Sequence, residues 1–229
     1  VSGLCGYVAQ GVSFALSNYF YAFVWGLKGM QLLMLAGVLM IGVFFAFAIA
    51  TPAAARFGKR RAGAVGSICA TILLIMPYLL RLAGLFPEPG SPLLLPVLSL
   101  FIIAKNALGV SSMMIGGSMM ADVVEQSEVT TGRRSEGVFF AGSFFVQKCS
   151  SGIGIFVAGS ILSLAGFPAE ASPGTVDGAT IDRLTIIFCI VYVALGVSAA
   201  WFYNRFPFGR DEHDAHLRAL ADAGRHEAM

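Results

Sequence analysis

The chain consists of long, nearly unbroken apolar runs separated by short clusters of charged or turn-forming residues. A helix needs about 20 apolar residues to cross the hydrocarbon core of a membrane. Because these runs are continuously apolar and do not alternate with polar residues, they favour helices over the strands of a membrane barrel. The predicted spans are residues 4–25, 31–55, 62–86, 93–121, 135–166 and 181–204, and a charged tail follows over 206–229.

Composition sharpens this picture. Of the 229 residues, 57% are hydrophobic and 12% are charged, whereas soluble domains have roughly 45–50% apolar and about 25% charged residues. So few charges cannot cover the surface of a soluble protein of this size. The sequence therefore argues against a soluble enzyme, a disordered protein and a nucleic-acid binder. It predicts an all-α membrane protein of six transmembrane helices whose first partner is the lipid bilayer.

The four cysteines and the chain start add little chemistry. Cys5, Cys69, Cys149 and Cys189 lie in apolar stretches without CxxC spacing, so we expect neither a disulfide framework nor a metal site. Two histidines with nearby aspartates in the tail resemble a metal site only weakly. No basic segment precedes the first apolar run, which excludes a signal peptide. We expect Val1 to be the edge of a fragment.

The distribution of positive charge predicts the orientation. Ten of the 15 Lys and Arg residues fall in the connectors 56–61 and 122–134 and after Tyr203, all on one side of the membrane, while only Lys28, Arg81 and Arg183 lie towards the other. The positive-inside rule then makes the first side cytoplasmic. Both chain ends are expected there, in a protein of the bacterial inner membrane.

Two lysines are predicted near the middle of the membrane. Lys105 lies well inside the fourth span and Lys148 well inside the fifth. A charge at that depth costs roughly 2.5–3.5 kcal/mol and is a functional candidate by default. Lys148 is the stronger candidate. Lys105 has an alternative interpretation: with Asn106, Ser111 and Ser112 it could line a polar, hydrated helix face that binds no solute.

Acidic residues are missing from the middle of every span, and all three histidines lie in the tail. No acid–base pair can therefore form within the membrane from this chain, which argues against an intramembrane enzyme. The two lysines require a counter-charge from elsewhere, either carboxylates on a partner surface or an anionic or polar ligand. In the fifth span, Ser150, Gly154 and Ala158 form a small-residue face that predicts close helix packing.

Charges gather around the turn between the fourth and fifth spans. Asp122, Glu125 and Glu128 share a helix face before Thr131 and Gly132. Arg133, Arg134 and Glu136 follow the turn. These charges suit a cytoplasmic gate, whose ion pairs form and break as a transporter changes between inward-open and outward-open states. A solvated turn that anchors the helix ends at the membrane surface would account for part of the pattern.

This segment carries a family resemblance. The pattern Ala-Asp-Val-Val-Glu-x-x-Glu-x-x-Thr-Gly-x-Arg-x-Glu-Gly over 121–137, continued by Gln-Lys-Cys-Ser-Ser-Gly-Ile-Gly over 147–154, resembles the glycoside–pentoside–hexuronide:cation symporters of the major facilitator superfamily. The basic connector is similar to a repeated loop of that superfamily and contains Arg56, Lys59, Arg60 and Arg61. The other spans agree in spacing and hydropathy only.

The resemblance implies that the chain is the C-terminal six-helix half-bundle of a twelve-helix transporter. It implies that Lys148 lies beside the solute and cation sites, that Asn106 occupies a polar position of the tenth helix, and that Asp122, Glu125, Glu128, Arg134 and Glu136 serve the inner gate. Lys105 corresponds to no signature of the family. The coupling ion, sodium or a proton, would be held mostly by carboxylates of the N-terminal half, and no other cofactor is implied.

Three functional hypotheses follow. The first is half of a cation-coupled symporter for a sugar or glycoside, paired with the N-terminal half or with a second copy of this chain. The second keeps the fold but carries a lysolipid or another amphiphile, which the phenylalanines Phe139, Phe140, Phe144 and Phe145 would suit. The third is a membrane subunit that transports nothing.

Overall fold

A computed structural model describes residues 2–132 and 135–204 of the protein. The regular structure in these ranges is entirely helical, so the prediction of an all-α membrane protein is confirmed. Arg133, Arg134 and the predicted tail over 206–229 lie outside the described residues. The helices are α1 Ser2–Tyr19, α2 Met30–Phe57, α3 Lys59–Leu82, α4 Leu94–Thr131, α5 Glu136–Ala165 and α6 Gly178–Asn204.

Five of these helices, α2 to α6, are long and apolar enough to cross a membrane. α1 is the shortest, and a π-helical turn, Phe20–Val24, continues it. In this turn the Trp25 amide donates to the Phe20 carbonyl at 3.0 Å, five residues back instead of four. Because this turn contains one extra residue, the side chains that follow it point in different directions from those of an uninterrupted α-helix.

α4 extends ten residues beyond its predicted span of 93–121. The acidic segment therefore continues the membrane helix and does not form a separate loop. The helix ends at Gly132, whose φ of 65° is a left-handed conformation that favours glycine. The Gly132 amide donates to the Glu128 carbonyl at 2.8 Å and closes the last turn.

The six helices pack as one bundle around a core that is rich in aromatic rings. α1 lies against α5 and α6, α2 against α3 and α4, and α3 also against α4 and α6. The Phe20 ring is 4.8 Å from the Tyr78 ring and 4.6 Å from the Phe188 ring, centroid to centroid. This cluster lies towards the end of the bundle opposite Arg56–Arg61. We call the end with Arg56–Arg61 the basic end.

A glycine permits close approach at four of the helix contacts. A Cβ atom added to Gly154 of α5 would lie 2.5 Å from the Val8 carbonyl oxygen of α1, and one added to Gly11 would lie 2.6 Å from the Ser151 carbonyl oxygen of α5. Small residues allow such approach where no hydrophobic effect drives helices together. The other contacts of this kind join Gly42 to Asn106, Gly66 to Ser112 and Gly196 to Thr71.

Candidate functional site

Lys105 lines a cavity inside the bundle. It lies about 16 Å along α4 from Leu94, and its side chain is partly buried. The cavity has a volume of about 60 Å³, is partly open, and is lined by residues from α1, the π turn, α2, α3, α4 and α6. The structure thus places Lys105 at the wall of a cavity between the helices.

The walls of this cavity combine aromatic and hydroxyl groups. Ser13 and Ser17 line it from α1, Tyr21 and Trp25 from the π turn and its end, and Tyr78 from α3. Trp25 is 1% exposed, and its ring lies 5.4 Å from the Tyr78 ring, centroid to centroid. No aspartate or glutamate is among the described residues that line the cavity.

Lys148 has a different setting. Its side chain is exposed on α5, about 18 Å from the start of that helix at Glu136. Ser150, Gly154 and Ala158, the predicted small-residue face, are buried and pack towards α1. α5 therefore presents its small residues to the bundle and its lysine away from it, and Lys148 does not line the Lys105 cavity.

Asn106 and Ser111 link α4 to α2, whereas the Ser112 hydroxyl bonds within α4. Asn106 Nδ2 donates to the Leu39 carbonyl oxygen of α2 at 2.7 Å. Ser111 Oγ lies 3.0 Å from the Ala46 carbonyl oxygen of the same helix, and Ser112 Oγ donates to the Leu108 carbonyl at 2.9 Å. The role of Asn106 as a solute contact stays a prediction, and its amide nitrogen already holds α4 against α2.

At the basic end, an ion pair joins the basic connector to the predicted gate. Lys59 Nζ lies 2.7 Å from both carboxylate oxygens of Asp122. Lys59 belongs to the basic connector and Asp122 to the predicted gate, so the pair ties α3 to α4. Arg56 and Arg61 are exposed, with the Arg56 guanidinium 5.6 Å from the centre of the Phe57 ring, and Arg60 is partly buried.

The other gate residues follow the same stretch of chain. Glu125 is exposed and Glu128 is partly buried on α4, and Glu136 is exposed at the first residue of α5. Arg133 and Arg134 lie outside the described residues, so their predicted gate pairing stays a prediction. Among the described residues, no group of three His, Cys, Asp or Glu side chains could hold a metal ion.

A second ion pair lies at the opposite end of the bundle. Arg81 Nη1 of α3 is 2.8 Å from Asp182 Oδ1 of α6. Arg183 extends from α6 towards the last turn of α5, with Nη1 3.5 Å from the Ala165 carbonyl oxygen. Sequence reasoning placed Arg81 near this end but missed Asp182. The signal available was its position in the first turns of a span, next to Arg183.

Comparison with known proteins decides the family. The sequence profile of the family described as MFS/sugar transport protein matches residues 1–210. The chain belongs to this family. The resemblance to glycoside–pentoside–hexuronide:cation symporters is confirmed, and the membership indicates an integral membrane transporter protein rather than an enzyme. No solved structure matches the chain significantly.

Several curated relatives of this MFS/sugar transport chain are known. An uncharacterised symporter of Synechocystis is 38% identical over 42% of this chain and 18% of its own length. A putative 2,3-dihydroxypropane-1-sulfonate exporter of Salmonella typhimurium is 27% identical over 89% of this chain and 42% of its own. A glucuronide carrier protein homolog of Escherichia coli is 22% identical over the same shares, 89% and 42%. The chain thus spans less than half the length of these relatives.

Proposed function

We propose that this chain is the second six-helix half of a secondary transporter that couples a hydroxylated, sugar-like solute to the movement of sodium ions or protons. The relatives described as symporter and glucuronide carrier support the cargo class and the coupling. In transporters built from two such halves, the bundles rock about a site near the midplane of the membrane. A second bundle of this kind would supply the other wall of that site.

The observation that best supports this proposal is that Lys148 points away from the rest of the bundle. The side chain is exposed although it lies deep along α5, while the opposite face of the helix is packed on α1. Exposure to lipid at that depth would cost roughly 2.5–3.5 kcal/mol. A second bundle with carboxylates, or a water-filled path between two bundles, removes that cost. Lys148 would then balance the acidic groups that bind the coupling ion.

The setting of the proposed half is the bacterial inner membrane, with the basic end in the cytoplasm. Most of the Lys and Arg residues in connectors lie at that end, as the positive-inside rule requires of cytoplasmic loops. The Lys59–Asp122 pair would then belong to the inner mouth of the pathway and the Arg81–Asp182 pair to the outer one. Labelling of single cysteines placed at positions 57 and 90 with a membrane-impermeant reagent tests this orientation.

Replacement of Lys148 tests the function. In the complete transporter, reconstituted in vesicles with an inward cation gradient, Lys148→Met is expected to abolish accumulation of a labelled glycoside above its outside concentration. Cys149→Ala, the exposed neighbour, is the matched control and should accumulate normally. Accumulation by Lys148→Met equal to that of the unaltered protein would exclude the coupling role.

An amphiphilic cargo is the second candidate. Phe144 and Phe145 are 63% and 70% exposed on α5, one turn before Lys148. Aromatic rings beside a cation could hold the chain and head group of a lysolipid. Parallel uptake of a labelled lysolipid and a labelled glycoside by the same vesicles separates the two cargo classes, because saturable uptake of the lysolipid alone would overturn the sugar assignment.

A further inference from the structure

A continuous apolar stripe runs along the outer face of α3. The large apolar side chains exposed on this helix follow one another at intervals of three or four residues: Val65, Ile68, Ile72, Met76 and Leu79. This spacing places them on one helix face over a length of about 21 Å. We call this face the α3 stripe. Arg61, which is also exposed, lies one turn before Val65 and continues the stripe at the basic end.

The packing of the bundle leaves the α3 stripe to the lipid. α3 packs against α2, α4 and α6, whereas α5 packs mainly against α1. α3 and α5 therefore lie on different sides of the bundle. The second bundle that is proposed to cover Lys148 would lie on the α5 side, so the acyl chains of the bilayer are the natural cover of the α3 stripe.

Two arginines flank the turn at the basic end of this stripe. A single residue, Gly58, separates α2 from α3, so Arg56 of the last turn of α2 and Arg61 of the first turn of α3 lie at the same membrane surface. Both are exposed, and neither belongs to an ion pair within the described part of the chain. Lys59, by contrast, is already paired with Asp122. Two guanidinium groups are therefore available to an external anion.

Phe57 adds an apolar group beside these arginines. Its ring is 59% exposed and lies 5.6 Å from the Arg56 guanidinium carbon. A guanidinium group can stack on an aromatic face and still donate two parallel hydrogen bonds to a phosphate. The basic end of the α3 stripe thus presents cationic donors at the membrane surface and apolar side chains directly below them. An anionic phospholipid, with its phosphate outside and its acyl chains inside, has the complementary arrangement.

We propose that the guanidinium groups of Arg56 and Arg61 bind the phosphate of an anionic phospholipid, whose acyl chain lies along the α3 stripe. The lipid belongs to the leaflet at the basic end and anchors the turn between α2 and α3 to the membrane surface. This turn adjoins the ion pair that ties α3 to α4. The proposal goes beyond the transport function and depends on neither the cargo nor the coupling ion.

Titration with two lipids tests this site. The purified complete transporter in detergent receives phosphatidylglycerol or phosphatidylcholine with the same acyl chains, and bound lipid is counted by native mass spectrometry. Arg56→Gln and Arg61→Gln should each weaken phosphatidylglycerol binding about fivefold, as for loss of one basic residue beside an anionic lipid. Binding of phosphatidylcholine should stay the same. Lys28→Gln, which removes an exposed cation at the opposite end, is the matched control and should bind both lipids normally.

Further variants and a soluble head group make the outcome decisive. Arg61→Lys keeps the charge but not the planar pair of donors, so it should recover part of the affinity. Glycerol phosphate, which lacks the acyl chains, should bind far more weakly than phosphatidylglycerol. Equal binding of glycerol phosphate would indicate a simple phosphate site and overturn the lipid. Unchanged phosphatidylglycerol binding by both glutamine variants, or equal affinity of the unaltered protein for the two lipids, would also overturn the proposal.

Folding and transport are separated from this result. Because Arg56 and Arg61 are exposed, the glutamine variants should unfold in phosphatidylcholine at the temperature of the unaltered protein. Lipid binding is measured without solute or cation gradient. A transporter that accumulates no glycoside but prefers phosphatidylglycerol through these arginines would therefore disprove only the proposed function. A transporter that accumulates glycoside without this preference would disprove only the lipid site.

Discussion

Lys59 Nζ lies 2.7 Å from both carboxylate oxygens of Asp122 and so ties the first residue of α3 to the last turns of α4. The two residues are 63 positions apart in the chain. Their side chains are 39% and 44% exposed. Such partly solvated pairs contribute only about 0–1 kcal/mol to stability. The pair therefore contributes little to the stability of the fold, and it is better suited to fixing the position of the start of α3 relative to α4.

A charge exchange tests this pair. Lys59→Asp and Asp122→Lys should each lower the initial rate of solute uptake by the complete transporter, with little change in its unfolding temperature. The double variant Lys59→Asp with Asp122→Lys should recover most of the rate, because the attraction is restored in reverse. Simple addition of the two single effects in the exchanged protein would show that the residues do not act as a pair.

The contact between α1 and α5 predicts opposite effects for two glycines of one helix. Gly154→Ala would place a methyl group 2.5 Å from the backbone oxygen of Val8, which a side-chain rotation cannot relieve. The expected destabilisation is about 1–3 kcal/mol, as for an overpacked core. Gly152→Ala is the matched control, since nothing lies within 4 Å of its added Cβ.

Thermal unfolding of the detergent-solubilised protein measures this difference. Gly154→Ala should unfold several degrees below the unaltered protein, and Gly152→Ala should unfold at the same temperature or slightly above, because alanine favours helix. Similar unfolding temperatures for the two variants would contradict the close approach of α1 and α5.

The contact between α3 and α6 predicts a compensating pair. A Cβ atom on Gly196 would lie 2.5 Å from Thr71 Oγ1 and 2.8 Å from Thr71 Cγ2, both side-chain atoms. Gly196→Ala should therefore lower the unfolding temperature, and adding Thr71→Ala should recover much of the loss by removing those two atoms. If Thr71→Ala lowers the stability of the Gly196→Ala protein further, this contact has been misassigned.

Replacement of Asn106 is expected to lower stability without changing the apparent affinity for the solute. Asn106→Leu removes the hydrogen bond to the Leu39 carbonyl oxygen. Hydrogen bonds between transmembrane helices average about 0.6 kcal/mol, so a small decrease in unfolding temperature is expected. The concentration of solute that gives half-maximal uptake should stay the same. A clear shift in that concentration at unchanged stability would instead place Asn106 at the solute.

The helices and the depth of the two lysines could be predicted from the sequence, but the facing of those lysines could not. A run of about 20 apolar residues identifies a span, and position within it gives depth. Helix faces are harder to infer, because lipid and protein interior are both apolar and the helix carries little amphipathic pattern. Lys105 faces a cavity and Lys148 faces away from the bundle for reasons that lie in neighbouring helices.

Close contacts between helices could be predicted from the sequence only where small residues recur at regular spacing on one helix. The spacing of Ser150, Gly154 and Ala158 indicates a packing face, and all three are buried. Gly42, Ala46 and Ala50 have the same spacing on α2 and are likewise buried. What their own segments do not indicate is the partner across each contact, Asn106 for Gly42 and Thr71 for Gly196. The π turn likewise follows from no local signal, although it sets the direction of Trp25.

α3 is held to its neighbours along its whole length. It begins at the ion pair of Lys59 with α4 and ends at the ion pair of Arg81 with α6. Between these ends, Gly66 and Thr71 fit closely against Ser112 and Gly196. Shear of α3 past α4 or α6 would break both ion pairs and force these side chains through one another. These contacts therefore favour movement of α3, α4 and α6 together as one body in the proposed cycle, by rotation rather than by shear of α3.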